Sequence, residues 1–133
     1  MTREDLKSYS NNQEWINERF EYIEELKTTI EKITTILDDM PKGSRKVQDN
    51  MAEKIAQLQD SINELLDRII EEDKKQKEIL KQLDRIEQPY KLILDKVYIQ
   101  GKSLVTVASE MHYSYVHICR EHGIALNKFD EMI

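Results

Sequence analysis

The chain has 133 residues, 39% of them apolar and 35% charged, and a net charge of −6. That length suits one domain or two very small ones, and that composition suits long, solvent-bathed helices better than a single thick core. An acidic total excludes a protein that coats nucleic acid indiscriminately, so any DNA contact must be local or shared with a partner. One cysteine leaves no internal disulfide framework and fits a reducing cytosol. No apolar run approaches the roughly 20 residues that span a bilayer, and "MTREDLKSYSNNQEW" lacks the apolar core of a signal peptide. The expectation is a soluble, cytoplasmic protein with no membrane partner.

Residues 3–40 contain no proline or glycine, and Ile16, Ile23, Ile30 and Leu37 recur every seventh position. The interleaved line is Arg19, Leu26, Ile33 and Met40, a heptad seam with one basic member. Pro41 and Gly43 in "MPKGS" then stop the pattern. A second seam covers residues 45–87, with Ile55, Ile62, Ile69, Gln76 and Leu83 on one line. Met51, Leu58, Leu65, Glu72, Ile79 and Ile86 form the other. Each helix would be roughly 50–60 Å long, and a short turn between two such helices predicts a long antiparallel helical hairpin, a coiled coil. Folding about Gly43 sets Ile30 beside Ile55, Ile23 beside Ile62 and Ile16 beside Ile69. It also brings "SNNQ" level with "EEDKKQK", so both arms lose their apolar seam at the same height.

Apolar residues also lie off the seam. Trp15, Tyr22 and Ile36, flanked by Phe20, stripe the first helix, and Leu66, Ile70 and Leu80 mark the second. A two-stranded coil does not need that much apolar surface. Two covers are open: the C-terminal part of the same chain, or a second hairpin in a homodimer built as a four-helix bundle. The dimer or partner surface is assigned to Trp15, Phe20, Tyr22, Ile36, Leu66 and Ile70. The lysines of "KKQK" are flanked by Glu71, Glu72, Asp73 and Glu78, which reads as a solvated helix face.

Pro89 opens a new short helix, "PYKLILDKVYIQ", with Tyr90, Ile93, Leu94, Val97 and Tyr98 spaced for one buried face and Gly101 as its C-cap. Ser103 can cap a helix over residues 104–111, whose inward stripe is Leu104, Val107, Ala108 and Met111. "HYS" makes a three-residue turn. Ser114 caps a final helix from residue 115 to about 132, with Ile118, Ala125, Leu126 and Phe129 inward. A short helix, a tight turn and a capped longer helix form the layout of a helix-turn-helix, whose second helix enters the major groove. The fold class expected is all-α: the hairpin over 1–88, for dimerisation or partner binding, then a C-terminal three-helix helix-turn-helix DNA-binding domain over 89–133.

His112, His117, Cys119 and His122 are close in sequence but do not make a metal set. His117 and Cys119 are two apart on one helix and diverge in direction, and His122 is five from His117, off that face. Cys119 has no acid–base arrangement around it and reads as a small, partly buried filler. No catalysis, metal or cofactor is expected.

"GKSLVTVASEMHYSYVHICREHGIALNKF" resembles the promoter-binding helix-turn-helix, region four, of bacterial sigma factors. The matching features are the glycine-x-serine at Gly101 and Ser103, the Val107-Ala108 pair, Met111, the capping Ser114, Ile118, and Ala125-Leu126. The whole chain, with "MPKGS" between long helices, is similar to small sigma-like proteins of phages and prophages of Gram-positive bacteria, the ArpU- and RinA-type late-gene transcription regulators. The resemblance implies that Tyr115, Val116, His117 and Arg120, opposite Ile118 and Leu126, read DNA. Arg120 would pair with a guanine edge and His117 with a base or phosphate. Lys102, Ser103 and Ser114 would meet phosphates at the helix starts, and Lys128 the backbone farther along. His112 stands where the family often has glycine, and the reading positions hold a single arginine.

Residues 89–133 carry five cations (Lys91, Lys96, Lys102, Arg120, Lys128) and five anions (Asp95, Glu110, Glu121, Asp130, Glu131). All six net negative charges therefore lie in residues 1–88. Few cations release few counterions, so one module alone should bind weakly. The expected function is a phage or prophage transcription regulator that binds double-stranded promoter DNA and activates late genes. Its expected partners are a second copy of the chain and RNA polymerase or a phage-encoded or host regulator. The alternative is a coiled-coil adaptor whose helix-turn-helix docks a protein.

Overall fold

The computed structural model describes every residue except Lys42, Ser44 and Ile133. The described residues are all-helical, with no strand: α1 (Arg3–Lys7), α2 (Tyr9–Asp38), α3 (Arg45–Asp84), α4 (Tyr90–Leu94), α5 (Leu104–Met111) and α6 (Tyr115–Glu131). α4 runs on into a π-helical stretch, Asp95–Ile99, where the Gln100 N–H reaches back to the Asp95 carbonyl at 2.9 Å. Of the expected break at 40–44, Lys42 and Ser44 lie outside the described residues. The first long helix departs from the uninterrupted span expected over 3–40: Ser8 interrupts it as a turn, its hydroxyl donating to the Glu4 carbonyl at 2.9 Å.

The chain forms two compact units, Met1–Glu14 with Asp73–Ile133, and Trp15–Glu72. These cut across the division at residues 88 and 89 expected from Pro89. The reason is a shared core: Leu6 and the α3 residues Ile79 and Leu83, with Ile86, are buried together with Leu94, Ala125, Leu126 and Phe129. Punctuation by proline marks where a helix starts, not where a core ends.

In the unit Trp15–Glu72, Ile16, Ile23 and Leu26 of α2 form one buried cluster with Ile62 and Ile69 of α3. Trp15, Ile30, Leu58, Leu65 and Leu66 are partly buried against it. Each fully buried isoleucine contributes about 1.5–3 kcal/mol relative to exposure. Four threonines on α2, at 28, 29, 34 and 35, bond back to the carbonyl four residues earlier at 2.8–3.1 Å, which satisfies their hydroxyls without leaving the helix.

The other unit holds two cores. One is the Leu6–Phe129 cluster; the second is Ile93, Val107, Ala108 and Ile118, lined by Val97, Leu104, Met111, Tyr113 and Cys119. Ile93 serves one and its neighbour Leu94 the other, both wholly buried. The buried Gln82 amide donates to the Met1 carbonyl at 2.7 Å and to the Phe129 carbonyl at 2.8 Å. Arg3 reaches Asp130 through both its backbone N–H (2.7 Å) and its guanidinium (2.6 Å), and its guanidinium also donates to the Asn127 side-chain Oδ1 at 2.7 Å. These bonds hold the Asp130 carboxyl below the usual carboxylate range.

His122 on α6 stacks on Tyr98 and shares a 2.7 Å hydrogen bond with its hydroxyl. Burial pushes the imidazole pKa down, and the Lys7 and Arg3 charges of α1 add to that. The folded protein thus favours neutral His122, whereas the unfolded chain takes up a proton near the ordinary value of about 6.5. The resulting stability is present above that value and is lost as the pH falls through the lower folded value. Thermal melts should therefore show a falling midpoint between about pH 7.5 and pH 5. His122→Gln should flatten that slope; an equal slope in the variant would assign the effect elsewhere.

Candidate nucleic-acid interface

Ser103 has extended backbone angles, and its side-chain oxygen accepts the Thr106 N–H at 3.2 Å, which starts α5. Ser114 does the same for α6, accepting the His117 N–H at 3.1 Å. The Ser114 hydroxyl keeps its own proton free to donate to an anion, whereas the Ser103 hydroxyl also shares a 3.0 Å bond with that of Thr106. Between the caps, His112 adopts the left-handed conformation (φ 60°, ψ 37°), and the Tyr113 N–H closes onto the Ala108 carbonyl at 2.9 Å. Upstream, Gly101 takes φ 71°, which a residue without a Cβ adopts freely. Histidine at such an angle carries a penalty of about 1–2 kcal/mol.

The α5 stripe packs inward as the spacing implies, with Val107 and Ala108 buried and Leu104 and Met111 half-buried. Ile118, Ala125, Leu126 and Phe129 of α6 are all buried. The opposite face of the first turns of α6 is left open. Tyr115 is 54% exposed, Val116 is 68% exposed and Arg120 is exposed. Arg120 forms no ion pair with any described residue. Val105 on α5 (66% exposed) and Ile124 on α6 lie open as well. The Cys119 thiol one turn on pushes the Tyr115 phenol pKa up. His117 is half-buried, its ring set edge-on to Tyr113 with centroids 4.6 Å apart.

The two lysines assigned to phosphates are engaged within the chain. Lys102 lies 2.7 Å from Glu110, which also takes Lys96 at 3.0 Å. The bond from Lys102, then that from Lys96, holds the Glu110 carboxyl below its usual range. Lys128 pairs with Glu87 at 2.9 Å and sits 5.1 Å from the centre of the Tyr90 ring. The Glu87 bond raises the Lys128 pKa. Spacing could not reveal these pairs: Glu110 is 8 and 14 positions from its lysines and Lys128 is 41 from Glu87, none of them a helical interval.

The surface assigned to dimer or partner divides in two. Phe20, Tyr22, Ile36 and Ile70 are 44–51% exposed, as is Val47 at 47%. Trp15 and Leu66 are partly buried against their own unit's core, with Arg19 stacked 5.4 Å from the Trp15 ring centre. The histidines scatter, His112 in the turn, His117 against Tyr113 and His122 against Tyr98. Among the described residues no three His, Cys, Asp or Glu side chains gather as a metal set, and no helix is long and apolar enough to cross a membrane. No family model, curated protein or solved structure matches the chain.

The strained turn is directly testable. His112→Gly relieves the left-handed angle and should raise unfolding stability by up to about 1 kcal/mol in a denaturant titration. A loss of stability would mean that the imidazole makes up for its backbone angle.

Proposed function

We propose that the chain is a DNA-binding transcription regulator of the phage or prophage sigma-like type. On this reading α5, the 112–114 turn and α6 are a helix-turn-helix with α6 in the major groove of promoter DNA, and α2 with α3 forms an antiparallel hairpin. The observation that carries the reading is the pair of serine caps around a tight left-handed turn. That arrangement leaves Tyr115, Val116 and Arg120 unburied on the first turns of α6. Those are the turns that meet base edges when a recognition helix enters the groove. Arg120, without an internal carboxylate, is the residue suited to a guanine edge, and Val116 to a thymine methyl. Ser103 and Ser114 can each donate a proton to a phosphate at a helix start.

The exposed Phe20, Tyr22, Ile36 and Ile70 favour a second copy of the hairpin as cover. Dimerisation would set two weak modules on one duplex and raise the effective concentration of the second.

One observation favours the adaptor alternative. Val105 and Val116 are among the most exposed apolar side chains, and the phosphate-directed lysines are internally paired. A protein partner with an apolar patch would fit that surface.

Mobility shift on the upstream regions of the native operon separates the two readings. The expected result is a shift at low salt, alone or with RNA polymerase, weakened roughly tenfold or more by Arg120→Ala. No shift under either condition sinks the DNA reading. A shift unchanged by Arg120→Ala together with His117→Ala removes α6 from the interface. Light scattering on the order of tens of micromolar should give twice the 15.8 kDa chain mass; a monomer mass refutes the dimer.

A further inference from the structure

Glu110 is a carboxylate that takes two cations. Its Oε1 meets the Lys102 ammonium at 2.7 Å and its Oε2 meets that of Lys96 at 3.0 Å. The three side chains are only 17–34% exposed, so this is a set arrangement rather than a loose surface encounter. Lys102 immediately precedes the cap of α5, yet its ammonium is drawn to Glu110, about 10 Å farther along the helix axis. Glu110 also lies near the C-terminal end of α5, where a negative charge opposes the helix dipole. What holds it there is the pair of lysines. A carboxylate whose two oxygens each face an ammonium offers those lysines the same kind of anionic oxygen pair that a phosphate diester offers.

We infer that Glu110 is an internal phosphate mimic that withholds Lys96 and Lys102 from nucleic acid. Backbone contact at the start of α5 then requires the duplex to displace it. The inference rests on the DNA reading above and adds to it a residue that restrains sequence-independent affinity. In the resting chain both ammonium groups face the one Glu110 carboxylate, which offsets half of their charge. Neutralising Glu110 releases both ammonium groups, of which Lys102 can swing back to the α5 N-terminus.

The test is a salt titration of binding to a mixed-sequence duplex by the full chain, its Glu110→Gln variant, its Lys102→Gln variant and the double variant. Glu110→Gln should bind more tightly, and its plot of log affinity against log salt should be steeper by about 1 to 2. Each recruited lysine then adds roughly a threefold gain for each fourfold dilution of salt. Lys102→Gln alone should leave the slope unchanged, because that lysine is already occupied, while in the Glu110→Gln background it should remove part of the gain. Equal slopes for the parent chain and Glu110→Gln overturn the inference. So does a weaker, flatter response for Lys102→Gln alone, which needs no Glu110 variant to fold. Absence of binding by all four proteins overturns the DNA reading and this inference together, whereas binding with equal slopes overturns this inference alone.

Discussion

Ile93 and Leu94 are consecutive residues of a five-residue helix, and neither has any exposed surface. Neighbours on a helix point about 100° apart, so α4 has to be covered on two sides at once. Val107, Ala108 and Ile118 supply one cover; Leu6, Ile79, Leu83, Leu126 and Phe129 supply the other. So short a helix has no stability of its own in water; it exists because both faces are packed. The same requirement fixes α6, which lends Ile118 to the first core and Ala125, Leu126 and Phe129 to the second. Its inward face is therefore committed over most of its length, and Tyr115, Val116 and Arg120 are left outside as a consequence.

The far end of α6 is closed by backbone chemistry. Gln82 spends both amide hydrogens on carbonyls, one from Met1 and one from Phe129. Arg3 binds Asp130 and Asn127 from the same N-terminal segment. Removing this buried donor takes a partner from the Met1 carbonyl, a cost of about 1–3 kcal/mol, while the Phe129 carbonyl keeps the Met132 N–H at 3.1 Å. Its C-terminal end is thus tied to α1 and α3, while its first turns are held by the Ser114 cap, the Tyr113 ring contact and the buried Ile118.

What could be read from the sequence followed locality. Ser103 and Ser114 cap because a hydroxyl three residues before a free N–H is a short-range arrangement. The inward stripe of α6 followed from periodicity. The unit boundaries were not legible, because Leu6 meets Phe129 across nearly the whole chain, and no spacing rule links them. Trp15 and Leu66 were read as partner surface because they lie off the heptad lines; next to the seam, both still lean on their own core. Glu110 was counted as one of five anions balancing five cations. The count was right and the pairing invisible, since the left-handed Gly101 reverses the chain between Lys96 and Lys102.

That pairing changes what a zero net charge means. A module with equal numbers of free cations and anions still presents lysines to phosphates. Here Lys96, Lys102 and Lys128 are each bound to a carboxylate, and Arg120 is exposed without one. Phosphate contacts supply the sequence-independent part of DNA affinity, and base contacts supply discrimination. Internal ion pairs therefore lower the first without touching the second. On the proposed reading the ratio of specific to non-specific binding rises while absolute affinity falls. The acidic first 88 residues push in the same direction by repelling DNA at long range. On that reading the module needs a second contact, from another copy or from polymerase, before it occupies a site, and binding is then confined to places where both contacts are offered together.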